Sequence, residues 1–198
     1  MRMRVVCGGV VFAGMTALLT SQVLSQDQGG EQGGDSAMWA EAMKYAQPGA
    51  FHDHLKPMAG QWDLAVRMRM APDAPWAESA STSSVKWIMG GRFLLEEVRG
   101  DAGGMPFEGM GMLGYDNFKK KYVSTWLDNM GTAIMISYGT CDASGKVFTL
   151  MGTHDNVFTG KKNDKAKSVT RIVNQDKQVV EMWGTGPDGR MFKTMEIT

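Results

Sequence analysis

The chain has 198 residues with 21 basic and 21 acidic side chains and 43% hydrophobic residues, enough for one domain with a sizeable buried core. A balanced charge gives no dense positive face for a nucleic-acid backbone, so nucleic acid is excluded as a partner. There are only two cysteines, Cys7 and Cys141, so stability must come from packing and not from a disulfide framework.

Residues 1–25 read as an export signal. Arg2 and Arg4 form a positive start, Val5 to Leu19 an apolar stretch, and Val23 and Ser25 supply residues permitted before a cleavage site near Ser25. Val5 to Leu24 is nearly long enough to anchor in a bilayer, but the polar Thr20, Ser21 and Gln22 argue for cleavage. Cleavage removes two basic residues and no acidic one, leaving a mature chain of net charge about −2 with Cys141 as its sole cysteine. The expected location is periplasmic or secreted, with membrane contact only through the signal during export.

Residues 26–36 are Gly, Gln and acids with nothing to bury, and read as a flexible linker. Ser36 can cap a short helix over 37–46, where Met38, Trp39, Ala42, Met43 and Ala46 recur at spacings of three and four. Pro48 and Gly49 end it, and a second short helix or turn is predicted over 50–58, completing a helical segment 37–59.

From Trp62 the period becomes alternating, with turn residues every eight to twelve positions. Strands are predicted at about 61–70, 82–90, 92–100, 106–115, 121–128, 132–141, 146–154, 166–173, 178–184 and 190–197. Gly90-Gly91, Asp116-Asn117, Asp142 to Gly145, Asn174 to Lys177 and Pro187-Asp188-Gly189 supply the turn chemistry. No connection after residue 81 can hold the crossover helix that parallel strands need. The fold class is therefore all-β: a single antiparallel up-and-down barrel of about ten strands over 60–198, closed to remove its edges.

A barrel of this size is either filled or holds one small ligand. In the first strand Trp62, Leu64, Val66, Met68 and Met70 share the apolar, inward side. Tyr122, Ser124, Trp126 and Asp128 share one face of the fifth, which brings a phenol, a hydroxyl and a carboxylate into the lumen if that face points inward. Arg171 and Glu181 stand opposite one another in a predicted hairpin, either as an outer ion pair or as a polar anchor in an apolar cavity. Arg92, Glu97 and Arg99 are further polar candidates, so the candidate ligand-binding set is Arg92, Glu97, Arg99, Tyr122, Trp126, Asp128, Arg171 and Glu181.

The order Gly60-Gln61-Trp62-Asp63, Trp87 to Leu94, Pro106-Phe107-Glu108-Gly109, Gly114-Tyr115-Asp116-Asn117, Trp126 to Thr132 and Gly186 to Lys193 resembles the bacterial domain of unknown function 1579. That resemblance spans about 38–198. It implies a lipocalin-like barrel, and it implies no established activity. Gly60-Gln61-Trp62 is also similar to the Gly-x-Trp signature of lipocalins, which implies that Trp62 closes one end. His154 departs from the pattern, which would more usually carry an acidic or polar residue there.

Other motifs weigh less. Gly109 to Gly114 fits G-x-G-x-x-G, but a turn follows where dinucleotide binding needs a helix N-terminus, so no cofactor is expected and the glycines instead allow close approach or strong bending of a barrel strand. His52, His54 and His154 are just enough imidazoles for a metal or haem site, with Asp128 or Glu97 as a further ligand, but on a helix His52 and His54 would diverge. Eighteen methionines spread along the chain read as core filler sooner than as a Cu(I) site. Cys141 reads as a small buried residue, and the lysine runs 119–121 and 161–167 as solvated turns. Neither a G-x-S-x-G elbow nor an H-E-x-x-H helix occurs, so the expectation leans away from an enzyme. The reading is a binding barrel for a small apolar or amphipathic ligand. Alternatives are a structural or interaction module with a packed barrel, working through its N-terminal helix or loops, and a metal or haem site using His52, His54 or His154.

Overall fold

The computed structural model describes residues 32–157 and 160–198. The expected signal, and the linker as far as residue 31, lie outside the described residues. A helix, α1 (Gln32–Ala46), begins earlier than the Ser36 cap predicts, with Asp35 in its first turn where the helix dipole favours an acid. A short α2 (Ala50–Asp53) and a 3-10 turn (Lys56–Met58) follow. No helix among the described residues is long and apolar enough to cross a membrane.

Ten strands then run β1 (Gly60–Met68), β2 (Ala77–Ile88), β3 (Phe93–Asp101), β4 (Pro106–Asp116), β5 (Lys121–Asp128), β6 (Met135–Cys141), β7 (Val147–Asn156), β8 (Lys161–Asn174), β9 (Lys177–Thr185) and β10 (Met191–Ile197). Each pairs antiparallel with its sequence neighbours and β1 pairs with β10, so the up-and-down sheet closes into a barrel. Closure leaves no long unpaired edge for another chain to extend. The seam between β1 and β10 is short: Val66, Arg67 and Met68 stand opposite Ile197, Glu196 and Met195, and Ala65 and Thr198 exchange two backbone hydrogen bonds.

The predicted turns form for the reasons the sequence offers. Gly90 and Gly91 take φ of 66° and 83° between β2 and β3, a left-handed region that costs glycine no steric penalty. Between β6 and β7 the Asp142 carboxylate accepts hydrogen bonds from the Ser144 hydroxyl and the amides of Lys146 and Val147, which together hold its carboxyl down at about 2.

Two stretches differ from expectation. The lysine run 161–167, expected in a turn, lies in β8, which starts at Lys161. Alternation there turns Asp164 and Ala166 to the inner face and Lys165 and Lys167 outward, and pairing with β7 extends the hairpin through His154 opposite Asp164. β2 likewise begins at Ala77, where Ala, Ser and Thr hide the alternation that large apolar residues would display.

One end of the barrel is closed by the segment between α1 and β1. Leu55 and Met58 from this plug pack with Leu94, Tyr115, Tyr122, Phe148, Leu150 and Ile172 as the buried core. The rings of Tyr115 and Tyr122, and of Tyr122 and Phe148, meet edge to face with centroids 5.0 Å apart. The Trp62 indole donates to the Met58 carbonyl at 2.9 Å, fastening β1 to the plug.

Candidate functional site

Above this floor the inner wall thins. One circumferential row passes from Leu113 through Ser124, Ser137 and Gly152 to Ala166, each opposite the next across β4 to β8. Four successive strands thus send in nothing larger than a hydroxymethyl group. Inner-facing side chains of this region keep part of their surface uncovered, Leu64, Val66, Trp126, Met135 and Met182 among them, whereas the floor residues are buried. Well-filled interiors do not leave their inward side chains part-exposed. The inner wall above the floor is therefore lined by small or part-exposed side chains, unlike the buried floor.

The next row towards the open end carries the chemistry. Val85, Glu96, Gly111, Trp126 and Met135 stand opposite one another in order across β2 to β6. The Trp126 indole lies across the inner surface of β4: a Cβ added at Gly109 would come within 2.5 Å of its Cζ2, and one at Gly111 within 3.0 Å of its Cε3. Gly109 and Gly111 are thus the seat of an aromatic ring, which is the close approach expected of them. The indole N–H donates to Asp128 Oδ2 at 2.8 Å, and Asp128 Oδ1 accepts from the Met130 amide at 3.0 Å, which fixes the ring's edge.

Glu96 is the inward carboxyl of β3. Its Oε1 accepts a hydrogen bond of 2.7 Å from Ser83, a β2 hydroxyl that is itself 2% exposed. Burial pushes the Glu96 carboxyl above its ordinary value of 4.5, and the Ser83 hydrogen bond offsets this only in part. A carboxyl withdrawn from water without a cation beside it is a candidate for binding, since an ordinary structural glutamate is paired or solvated. Towards the rim, His154 faces Asp164 in register, and Lys161 reaches Asp164 at 2.5 Å. The Asp164 carboxyl is accordingly held low, first by Lys161.

Residues 47–198 match the family described as a protein of unknown function, DUF1579. The chain belongs to the DUF1579 family. No curated protein matches it.

In this DUF1579 barrel the sequence candidates fall into four places. Trp126 and Asp128 reach the lumen. Tyr122 points inward but is 1% exposed in the floor, where its hydroxyl donates to the Phe51 carbonyl at 2.9 Å and lies 3.0 Å from His54 Nδ1. Arg92 lies in the turn between β2 and β3, donating to the carbonyls of Ala46 at the end of α1 and of Met89. Glu97, Arg99, Arg171 and Glu181 lie on the outer face, Glu97 paired with Lys86 at 2.8 Å and Arg171 with Glu181 at 3.8 Å. Alternation from the inward Leu94, Glu96 and Val98 fixes the parity of β3, and the inward Ser168, Thr170 and Ile172 that of β8. The residue missed in the sequence is Glu96.

The histidines do not converge. His52 is buried in the plug, where its Nδ1 accepts from the Gly49 amide, and His54 meets Tyr122. His154 stands six residues along β7 from the floor residue Phe148, roughly 20 Å at about 3.3 Å per residue. Among the described residues no group of three or more His, Cys, Asp or Glu side chains is placed to hold a metal. Burial, followed by Asp142, pushes the Cys141 thiol up to about 11, which keeps it protonated and unreactive at neutral pH. A concavity of about 590 Å³ opens over the β1 to β3 wall near Ala65, Ala80 and Arg99, where both Asp63 and Arg99 are exposed.

These placements set two expectations for stability. Tyr122→Phe removes a buried residue's hydroxyl that donates to the Phe51 carbonyl, and urea unfolding should show a loss of about 1 kcal/mol; an unchanged midpoint would mean the plug is not tied to the barrel. Arg171→Ala removes an exposed outer partner and should cost less than about 1 kcal/mol in the same assay.

Proposed function

We propose that this is an exported binding barrel that holds one small apolar or amphipathic molecule in its lumen. The carrying observation is the row Ser124, Ser137, Gly152 and Ala166, which leaves room between a packed floor and the Trp126 platform. Apolar walls with a few convergent polar groups are the usual make-up of a small-molecule site. Here the walls are Leu64, Val66 and Met182, and the polar groups are Glu96 and Ser83. Export rests on the sequence of residues 1–25 alone. Fractionation of the native host, following a C-terminal tag, tests it: recovery outside the cytoplasm is expected, and cytoplasmic recovery would overturn it. Native mass spectrometry of protein purified gently from that host should show a bound mass released by organic solvent. A mass equal to the bare chain in every preparation would count against the cargo.

Glu96 also gives the reading a pH signature. Its folded carboxyl binds a proton more tightly than the unfolded chain does, so its contribution is fully present below the ordinary value of 4.5 and is lost as pH rises through the raised folded value. Glu96→Gln should therefore be more stable than the parent at neutral pH, with the difference shrinking towards pH 4. Thermal melts at the two pH values check this, and a Gln variant that is less stable at neutral pH would contradict it.

A second reading, an interaction module, is favoured by one feature. In α1 Trp39 is 67% exposed and Met43 48%, an apolar pair that the described residues leave uncovered. A Trp39→Glu, Met43→Glu double variant that loses a captured partner while keeping lumen binding would favour it; capture unaffected by the change would count against it.

A further inference from the structure

The chemistry of the inner wall names the head group of the cargo, an inference that rests on the lumen-binding reading above. Among the described residues, no lysine or arginine occupies an inner position of the ten strands between the floor and the rim; the nearest in sequence position, Lys161, is at the mouth and engaged by Asp164. The inner ionisable groups at the level of the cavity are carboxyls. An anionic head would meet Glu96 and Asp128 with no cation to offset them. A wholly apolar ligand would leave the Glu96 carboxyl sealed from water with one hydroxyl as its partner, which is costly for a polar group and more so for a charge.

The placement of Trp126 completes the recognition. Gly111 separates Glu96 from Trp126 in the same row and has no side chain, so β4 puts nothing between carboxyl and indole. Their backbones lie two strand spacings apart, roughly 10 Å at about 4.8 Å each. One face of the indole rests on Gly109 and Gly111 and its N–H edge is engaged by Asp128, which leaves the other face to the lumen. An indole face is the best aromatic partner for an ammonium group. Glu96 Oε1 is taken by Ser83, and among the described residues no protein donor reaches Oε2.

We infer that the lumen takes a lipophilic cation, an alkylamine or quaternary ammonium with an apolar tail, its head seated between the Glu96 carboxylate and the Trp126 ring. The tail then lies along Leu64, Val66 and Met182.

Calorimetric titration of the whole protein at pH 8 with octylamine, octanol and octanoate tests this, because the three share one tail. The wild type should bind octylamine at least about tenfold more tightly than octanol, with octanoate weakest. Glu96→Gln, whose amide oxygen can still accept from Ser83, should lose that preference, its affinities for amine and alcohol converging. Trp126→Phe should retain part of it. Equal binding of amine and alcohol in the wild type, preference for octanoate, or an amine preference that survives Glu96→Gln would overturn the head-group inference and leave the lumen reading standing. No binding of any of the three would overturn both.

Discussion

Leu55→Ala should lower the unfolding free energy by about 2–5 kcal/mol, among the largest losses available to a single side chain in this protein. Leu55 is fully buried in the plug and belongs to the cluster that includes Tyr115, Tyr122 and Phe148. It comes from a segment that contributes no strand, so its burial is what makes residues 50–58 part of the barrel's core. Truncation removes the transfer free energy of its methyl groups and leaves a cavity that the surrounding aromatic rings, held edge to face, cannot collapse into. Urea denaturation followed by circular dichroism measures this. A loss below about 1 kcal/mol would mean that the plug is a dispensable appendage and that the barrel floor is sealed without it.

Gly139→Ala should be at least as damaging, for the opposite reason. Gly139 lies on the inner face of β6 between Tyr122 and Leu150, and an added Cβ would stand 1.9 Å from the Thr149 carbonyl oxygen and 2.7 Å from the Leu150 Cα. Both are backbone atoms of the paired strand, so no rotamer change relieves the clash and the β6–β7 ladder must part. Overpacking commonly costs about 1–3 kcal/mol even where side chains can yield. Here the expected loss is at the top of that range or beyond, seen as poor soluble yield or a thermal midpoint lowered by ten degrees or more, about what such a loss produces in a domain of this size. At Gly109 the obstacles are side-chain atoms, the Trp126 ring foremost, so Ala there should disturb the lumen more than the fold.

The barrel was legible because its sequence states it redundantly. β1 alternates Trp62, Leu64 and Val66 against Asp63, Ala65 and Arg67, and turn residues arrive at regular intervals, so strand count and antiparallel closure follow from pattern alone. That Trp126 and Asp128 share a face was legible too, because β5 carries its aromatic and polar residues on one parity, but which face points inward was left open.

The parity of β3 was not. Leu94-Leu95-Glu96-Glu97 doubles each residue type, so either register puts one leucine and one glutamate inside, and alternation cannot choose between Glu96 and Glu97. Pairing decides it: Trp62, inward on β1, stands opposite Ser83, and Ser83 opposite Val98, which carries Glu96 to the same face. That chain of neighbours is non-local, and it depends on the connection between β1 and β2, whose length the sequence left open. The plug was hidden for a related reason. Leu55 and Met58 are isolated apolar residues in a segment broken by Pro57, with too little periodicity to reveal a buried face. The lysines concealed the first residues of β8, predicted only from 166, because lysine marks a solvated surface in either a turn or an outer face.

The account turns on the space above the floor, and one comparison reaches it most directly. A neutral, solvent-sensitive fluorescent probe is titrated into the wild type, into Ser137→Phe, which fills the small-residue row from inside, and into Met112→Lys, which alters the outer face of the same wall. The account predicts saturable one-to-one binding by the wild type and by Met112→Lys, and its loss in a Ser137→Phe protein whose circular dichroism shows an intact barrel. Binding that survives the filled lumen and disappears with the outer substitution would contradict it, and would place the site on the barrel's exterior.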